Sequence, residues 1–167
     1  VATSLSEGIA KLVVYFQLFS NNIIYHIFTP IEYGIYVVIF SKLFESTRIS
    51  NILYGSWFIL VLTEIINTLY FQPLHQTNTN IMILESVLLV FFSLLLFIFI
   101  KDSLKYDDLL KEGIFWFNSA ILIYYAFNIL VWGFHSFKIY TMINPPVIIY
   151  KVNLLFSALL YLVYGYA

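Results

Sequence analysis

Long, continuous apolar runs separated by short polar interruptions set the pattern of this chain. The clearest run, residues 81–100, reads IMILESVLLVFFSLLLFIFI and carries one charge. Comparable runs cover residues 23–44, 52–71, 114–134 and 147–166. About 20 apolar residues in a helix cross a hydrocarbon core of ~30 Å, so each run is long enough to span a bilayer. A shorter segment over residues 5–19 contains Glu7 and Lys11 and is expected as a truncated span or an interfacial helix. The pattern predicts an all-α, polytopic transmembrane helical bundle of about six helices, forming a single domain over residues 1–167. Transmembrane barrel strands would need alternating segments about half as long as these runs.

The connections, among them SNN, KLFESTRIS, QPLHQTNTN and HSFKIYTMINPP, are short. Sequential helices should therefore be antiparallel neighbours, with no room for a soluble domain. Lys and Arg collect in the connections after 23–44 and 81–100, as Lys42, Arg48, Lys101, Lys105 and Lys111, whereas the opposite connections hold only Lys138. Because basic residues accumulate on the cytoplasmic side, those two connections and the C-terminus are expected in the cytoplasm. The expected location is the inner membrane of a bacterium. The chain opens VATSLSEGIAKLVVYFQLF, with neither an initiator Met nor signal-peptide features, so an additional helix before Val1 is anticipated.

Composition agrees with the pattern: 62% of the 167 residues are hydrophobic, 10% are charged and the mean hydropathy is +0.91. Soluble domains carry roughly 25% charged residues. A net charge of −1 from 8 basic and 9 acidic residues leaves no basic stripe for nucleic acid. The absence of cysteine removes thiol nucleophiles and thiolate metal sites. No hydrolase, zinc-protease or phosphate-loop signature occurs, which disfavours an enzyme without excluding one. The partners expected are the lipid bilayer and other membrane subunits; no cofactor is specified.

The candidate chemistry lies inside the spans. Glu7, Glu32, Glu64 and Glu85 fall within predicted helices, with Lys11 and Lys151 the bases there. An ionised carboxylate at the bilayer centre costs at least roughly 2.5–3.5 kcal/mol, so such groups face the bundle interior and pair, protonate or line a wet cavity. At about 1.5 Å per residue, His26 and Glu85 fall near the outer surface, Glu64 and Asn67 in the outer half and Glu32 near mid-depth. His75 and His135 belong to the same side. An outward-opening polar pocket lined by His26, Glu32, Glu64, Asn67 and Glu85, joined by Asn128 and His135, is one reading; interhelical hydrogen bonding by the same groups is the other. A metal site is not expected, since His26 and Glu32 are roughly 120° apart around the helix and no His-x-x-x-His or Glu-x-x-His pair occurs. Pro30 leaves the His26 carbonyl without its helical donor, with Thr29 placed to help. Asn118 and Ser119 form a small, polar helix-packing patch.

The motifs NNIIYHIFTPIEY, ILES and FWFNSAILIYY resemble those of a family of uncharacterised polytopic membrane proteins common in Bacteroidota. In that family patterns similar to Asn21, Asn22, Tyr25, His26, Thr29 and Glu32, to Leu84, Glu85 and Ser86, and to Trp116, Asn118 and Ser119 each open a helix. The resemblance implies about seven helices in the full-length protein and the shape of a sensor module, with no established activity. Three functions follow as expectations: a non-enzymatic module that binds or senses a ligand at its outer face and signals to the cytoplasmic side, an accessory subunit of a membrane complex, or a small ion or solute carrier.

Overall fold

A computed structural model describes residues 21–103, 112–141 and 147–166. These residues form five helices: α1 (Asn21–Leu43), α2 (Thr47–Tyr70), α3 (Thr79–Ser103), α4 (Gly113–Thr141) and α5 (Val147–Tyr166). The described residues thus hold five helices where about six are expected; the segment at 5–19, with Glu7, lies outside them. Four stretches, Asn22–Leu43, Thr47–Tyr70, Thr79–Lys101 and Gly113–Phe137, are long and apolar enough to cross a membrane. The all-helical class and the transmembrane character follow directly from those lengths.

Two boundaries differ from the hydrophobic pattern. Helix α2 begins at Thr47, five residues before the apolar run, and α4 continues to Thr141, beyond the expected end at residue 134. In both places polar residues continue a helix whose backbone bonds are already propagating, and that costs little once nucleation is complete. At 29 residues, α4 extends about 43 Å, longer than the hydrocarbon thickness.

The chain divides into two compact units, Val1–Glu85 and Ser86–Ala167. In the first, α1 and α2 form an antiparallel hairpin. The cross-helix bonds run in opposite directions along the two helices: Tyr33 Oη with Ser56 Oγ at 2.8 Å, and Ser50 Oγ donating to the Ser41 carbonyl at 3.3 Å. The reversal between them is three residues long and turns through Glu45, whose φ of 50° lies in the left-handed region. Such a residue after a helix end stops propagation and redirects the chain, a role usually filled by glycine.

On α1 the buried side chains His26, Thr29, Tyr33, Val37 and Phe40 recur at helical spacing. On α2 the buried stripe is Leu53, Leu60, Glu64 and Asn67. A single face of α2 therefore changes from apolar to polar in its last two turns. The rest of that helix displays Phe58, Ile59, Ile65 and Leu69 outward, as a lipid-facing surface would.

In the second unit, α4 packs against α5, with Phe127 and Phe156 ring centroids 4.6 Å apart. The Asn118 amide donates to the Ser93 carbonyl of α3 at 2.9 Å, while Ser119 Oγ bonds the Phe115 carbonyl within its own helix. Asn118 thus makes the interhelical link, and the small size of Ser119 accompanies it.

Candidate functional site: a polar clasp closing the α1–α2 hairpin

The polar end of the α2 stripe meets His26 and the loop between α2 and α3. His26 Nδ1 lies 2.7 Å from Glu64 Oε1 and 3.1 Å from Thr68 Oγ1. On the other side of the ring, Nε2 is 3.1 Å from the Gln76 carbonyl. Glu64 has further partners: Thr68 Oγ1 donates to Oε1 at 3.0 Å and Asn78 Nδ2 donates to Oε2 at 2.6 Å. The spacing explains the grouping. Residues 64, 67 and 68 are three and four apart and share one face of α2, and His26, near the start of α1, is level with them in an antiparallel hairpin.

A second set of bonds extends the cluster into the loop. Asn67 Nδ2 donates to Asn78 Oδ1 at 3.0 Å and to Gln72 Oε1 at 3.2 Å, and Asn80 Nδ2 donates to Asn67 Oδ1 at 2.9 Å. Gln72 Nε2 donates to Thr79 Oγ1 at 2.7 Å, and Gln72 Oε1 accepts the backbone N–H of Asn80 at 3.1 Å. Asn78 stands just before the first residue of α3, where an Asn side chain normally caps its own helix. Here its amide is committed to Glu64 and Asn67. Gln72 supplies an acceptor to the first turn of α3 instead, meeting one of the orphan donors at the helix start.

His26, Glu64, Asn67, Gln72, Asn78 and Thr79 are all buried, the last two completely. These side chains bond one another, and the result is a buried clasp that fastens the loop to the hairpin. Asn22 Nδ2 adds a bond to the His75 carbonyl at 2.6 Å, and Thr77 Oγ1 donates to Asn22 Oδ1 at 3.4 Å. A buried polar group without a partner costs several kcal/mol in hydrocarbon, so satisfying so many at once is what makes a polar cluster tolerable here.

Of the residues picked out in the sequence, His26, Glu64 and Asn67 come together. Glu32 and Glu85 form a separate pair of carboxyls within electrostatic reach of each other. Glu85 is buried, and its Oε1 has no hydrogen-bond partner. Asn128 and His135 belong to the second unit; Asn128 is buried with Oδ1 unbonded, and the His135 ring packs edge-on to Trp132 at 5.8 Å. Among the described residues no group of three or more His, Asp or Glu side chains is placed to hold a metal ion.

Sequence reasoning passed over Thr68, Gln72, Asn78 and Asn80. The available signal was the density of amides in QPLHQTNTN, each with both a donor and an acceptor to place. Thr29 bonds the Tyr25 carbonyl at 2.7 Å rather than that of His26. The Pro30 carbonyl accepts the Trp57 indole N–H at 2.9 Å.

No family model, curated protein or solved structure matches the chain.

Proposed function

We propose that this chain is a non-enzymatic integral membrane module that senses at the clasp and passes the change along the α1–α2 hairpin. The single observation behind this reading is the buried His26–Glu64 pair, which joins both helices and the loop at one point. A group that changes the state of that pair alters the register between two spans. In this reading the clasp faces outward and the Glu45 turn and the C-terminus face the cytoplasm of a bacterial inner membrane; the Lys and Arg residues of the connections after α1 and α3 support that orientation.

Opening the clasp must then be felt at the other end of the hairpin. Thr47, exposed at the start of α2, can be replaced by cysteine in a chain that has none. Its labelling rate by a polar maleimide should differ between the parent and the same protein carrying His26→Ala. Equal rates in membranes, with helical content retained, would reject transmission.

An accessory-subunit reading draws on the breadth of the exposed apolar surface of α2, including Ile52, Phe58, Ile66 and Leu69. It predicts that cross-linkers placed on that surface capture a protein partner rather than lipid alone.

A further inference from the structure

We infer that the ligand of the clasp is a proton, and that the loop stays docked only while a single proton occupies the gap between His26 Nδ1 and Glu64 Oε1. This rests on the sensing role assigned to the pair and names what it senses.

The Gln76 carbonyl can only accept, so the Nε2 facing it at 3.1 Å carries a hydrogen. The Thr68 hydroxyl donates to Oε1 and the Asn78 amide to Oε2. Those hydrogens are committed elsewhere, and the 2.7 Å contact between Nδ1 and Oε1 requires one more. That proton sits either on nitrogen, giving imidazolium and carboxylate, or on oxygen, giving two neutral groups. The pair has zero net charge in both cases, which suits a low-dielectric site.

Removing the proton sets the Nδ1 lone pair against a carboxylate oxygen, and the contact becomes repulsive. Adding a second proton, at the lone pair still open on Oε2, gives the buried pair a net positive charge, which a low-dielectric site disfavours. Proton loss and gain therefore both undock the loop. The exchanging proton comes from and returns to water on the loop side, where His75 and Gln76 are exposed. Among the described residues no third charged group bonds the pair. Besides His26 from α1 and Glu64 with Thr68 from α2, the described groups that bond it are the Asn78 amide and the Gln76 carbonyl.

Glu64→Gln separates a proton-held clasp from a purely structural one. Its amide N–H₂ can donate to Nδ1 and to Thr68 Oγ1, while its oxygen accepts from Asn78, so Glu64→Gln reproduces the closed arrangement with no proton to lose. Spin labels on cysteines at Ile27 and Leu74, both exposed, report the distance from α1 to the loop in the whole chain in phosphatidylcholine vesicles. The parent should show a docked population over one window of pH, lost on both the acid and alkaline sides while circular dichroism stays helical. Glu64→Gln should keep the docked population on the alkaline side where the parent has lost it. A parent distance independent of pH, or alkaline undocking unchanged in Glu64→Gln, overturns the inference. If undocking follows pH but Thr47 labelling does not, the proton site stands and the transmission reading fails.

Discussion

Asn78 joins two otherwise separate bonding systems: its amide nitrogen donates to Glu64 Oε2 at 2.6 Å, and its amide oxygen accepts from Asn67 at 3.0 Å. Reversing the amide would place oxygen against carboxylate, so its orientation is fixed by its neighbours. Interhelical hydrogen bonds in membrane proteins average only ~0.6 kcal/mol and reach ~1.7 kcal/mol. Asn78→Leu removes more than an average bond, since it leaves one oxygen of a buried carboxyl without a donor, and should cost about 2 kcal/mol or more. Tyr33→Phe, which deletes an ordinary hydroxyl pair with Ser56, should cost about 0.6 kcal/mol. Unfolding in a mixed detergent series measures both, and equal losses would contradict the bridging role of Asn78.

At Gly34 the absence of a side chain decides where an indole rests. A β-carbon there would lie 2.9 Å from Trp57 Nε1 and 3.3 Å from its Cε2. That space lets the indole reach the Pro30 carbonyl across the hairpin. Gly34→Ala gains about 1 kcal/mol of helix propensity and loses this bond, so net stability should move by less than about 1 kcal/mol. The indole, already partly exposed, should swing outward. With Trp116 and Trp132 changed to Phe, its fluorescence maximum should shift in Gly34→Ala; an unchanged spectrum would show that the ring does not depend on this gap.

The spans were legible because their cause is local: a continuous apolar run has one stable way to cross lipid, and its length is visible without knowing what it touches. The polar site was legible only in part. His26 and Glu64 stand out as polar groups in apolar runs, but their pairing depends on the register of two helices across the Glu45 turn. Asn78 and Gln72 look like ordinary loop residues until the loop is folded back. Grouping Glu32 with His26 did not anticipate this arrangement; the angular separation of the two around α1 already argued for different neighbours.

Glu45 offers a test of the turn itself. An L-residue in the left-handed region costs roughly 1–2 kcal/mol, a cost that glycine avoids. Part of the gain is offset by the greater freedom of glycine in the unfolded chain. Glu45→Gly should therefore stabilise the hairpin by about 0.5–1 kcal/mol. Glu45→Val, β-branched and poorly suited to positive φ, should destabilise it by a comparable or larger amount. Thermal unfolding of the two variants should bracket the parent, and a destabilised Glu45→Gly would mean that the carboxylate contributes more than its backbone conformation takes away.

The two buried carboxyls of the first unit should respond to the same substitution with opposite signs. Glu64 has three side-chain partners, so Glu64→Leu leaves His26, Thr68 and Asn78 with unmet bonds and should destabilise by about 3 kcal/mol. Glu85 has an oxygen with no hydrogen-bond partner and a second carboxyl, Glu32, within electrostatic reach. Its unmet oxygen alone carries a penalty of about 1–3 kcal/mol. Glu85→Leu places an apolar chain of similar size on the α3 face that carries buried Ile81 and Met82 and should raise stability by about 1 kcal/mol or more. Chemical unfolding of the two variants in the same detergent gives both signs directly. A loss of stability in Glu85→Leu would mean that the carboxyl holds a bond the folded chain depends on; a gain would mark Glu85 as a group that lowers stability where it stands, which is how residues retained for function rather than folding behave.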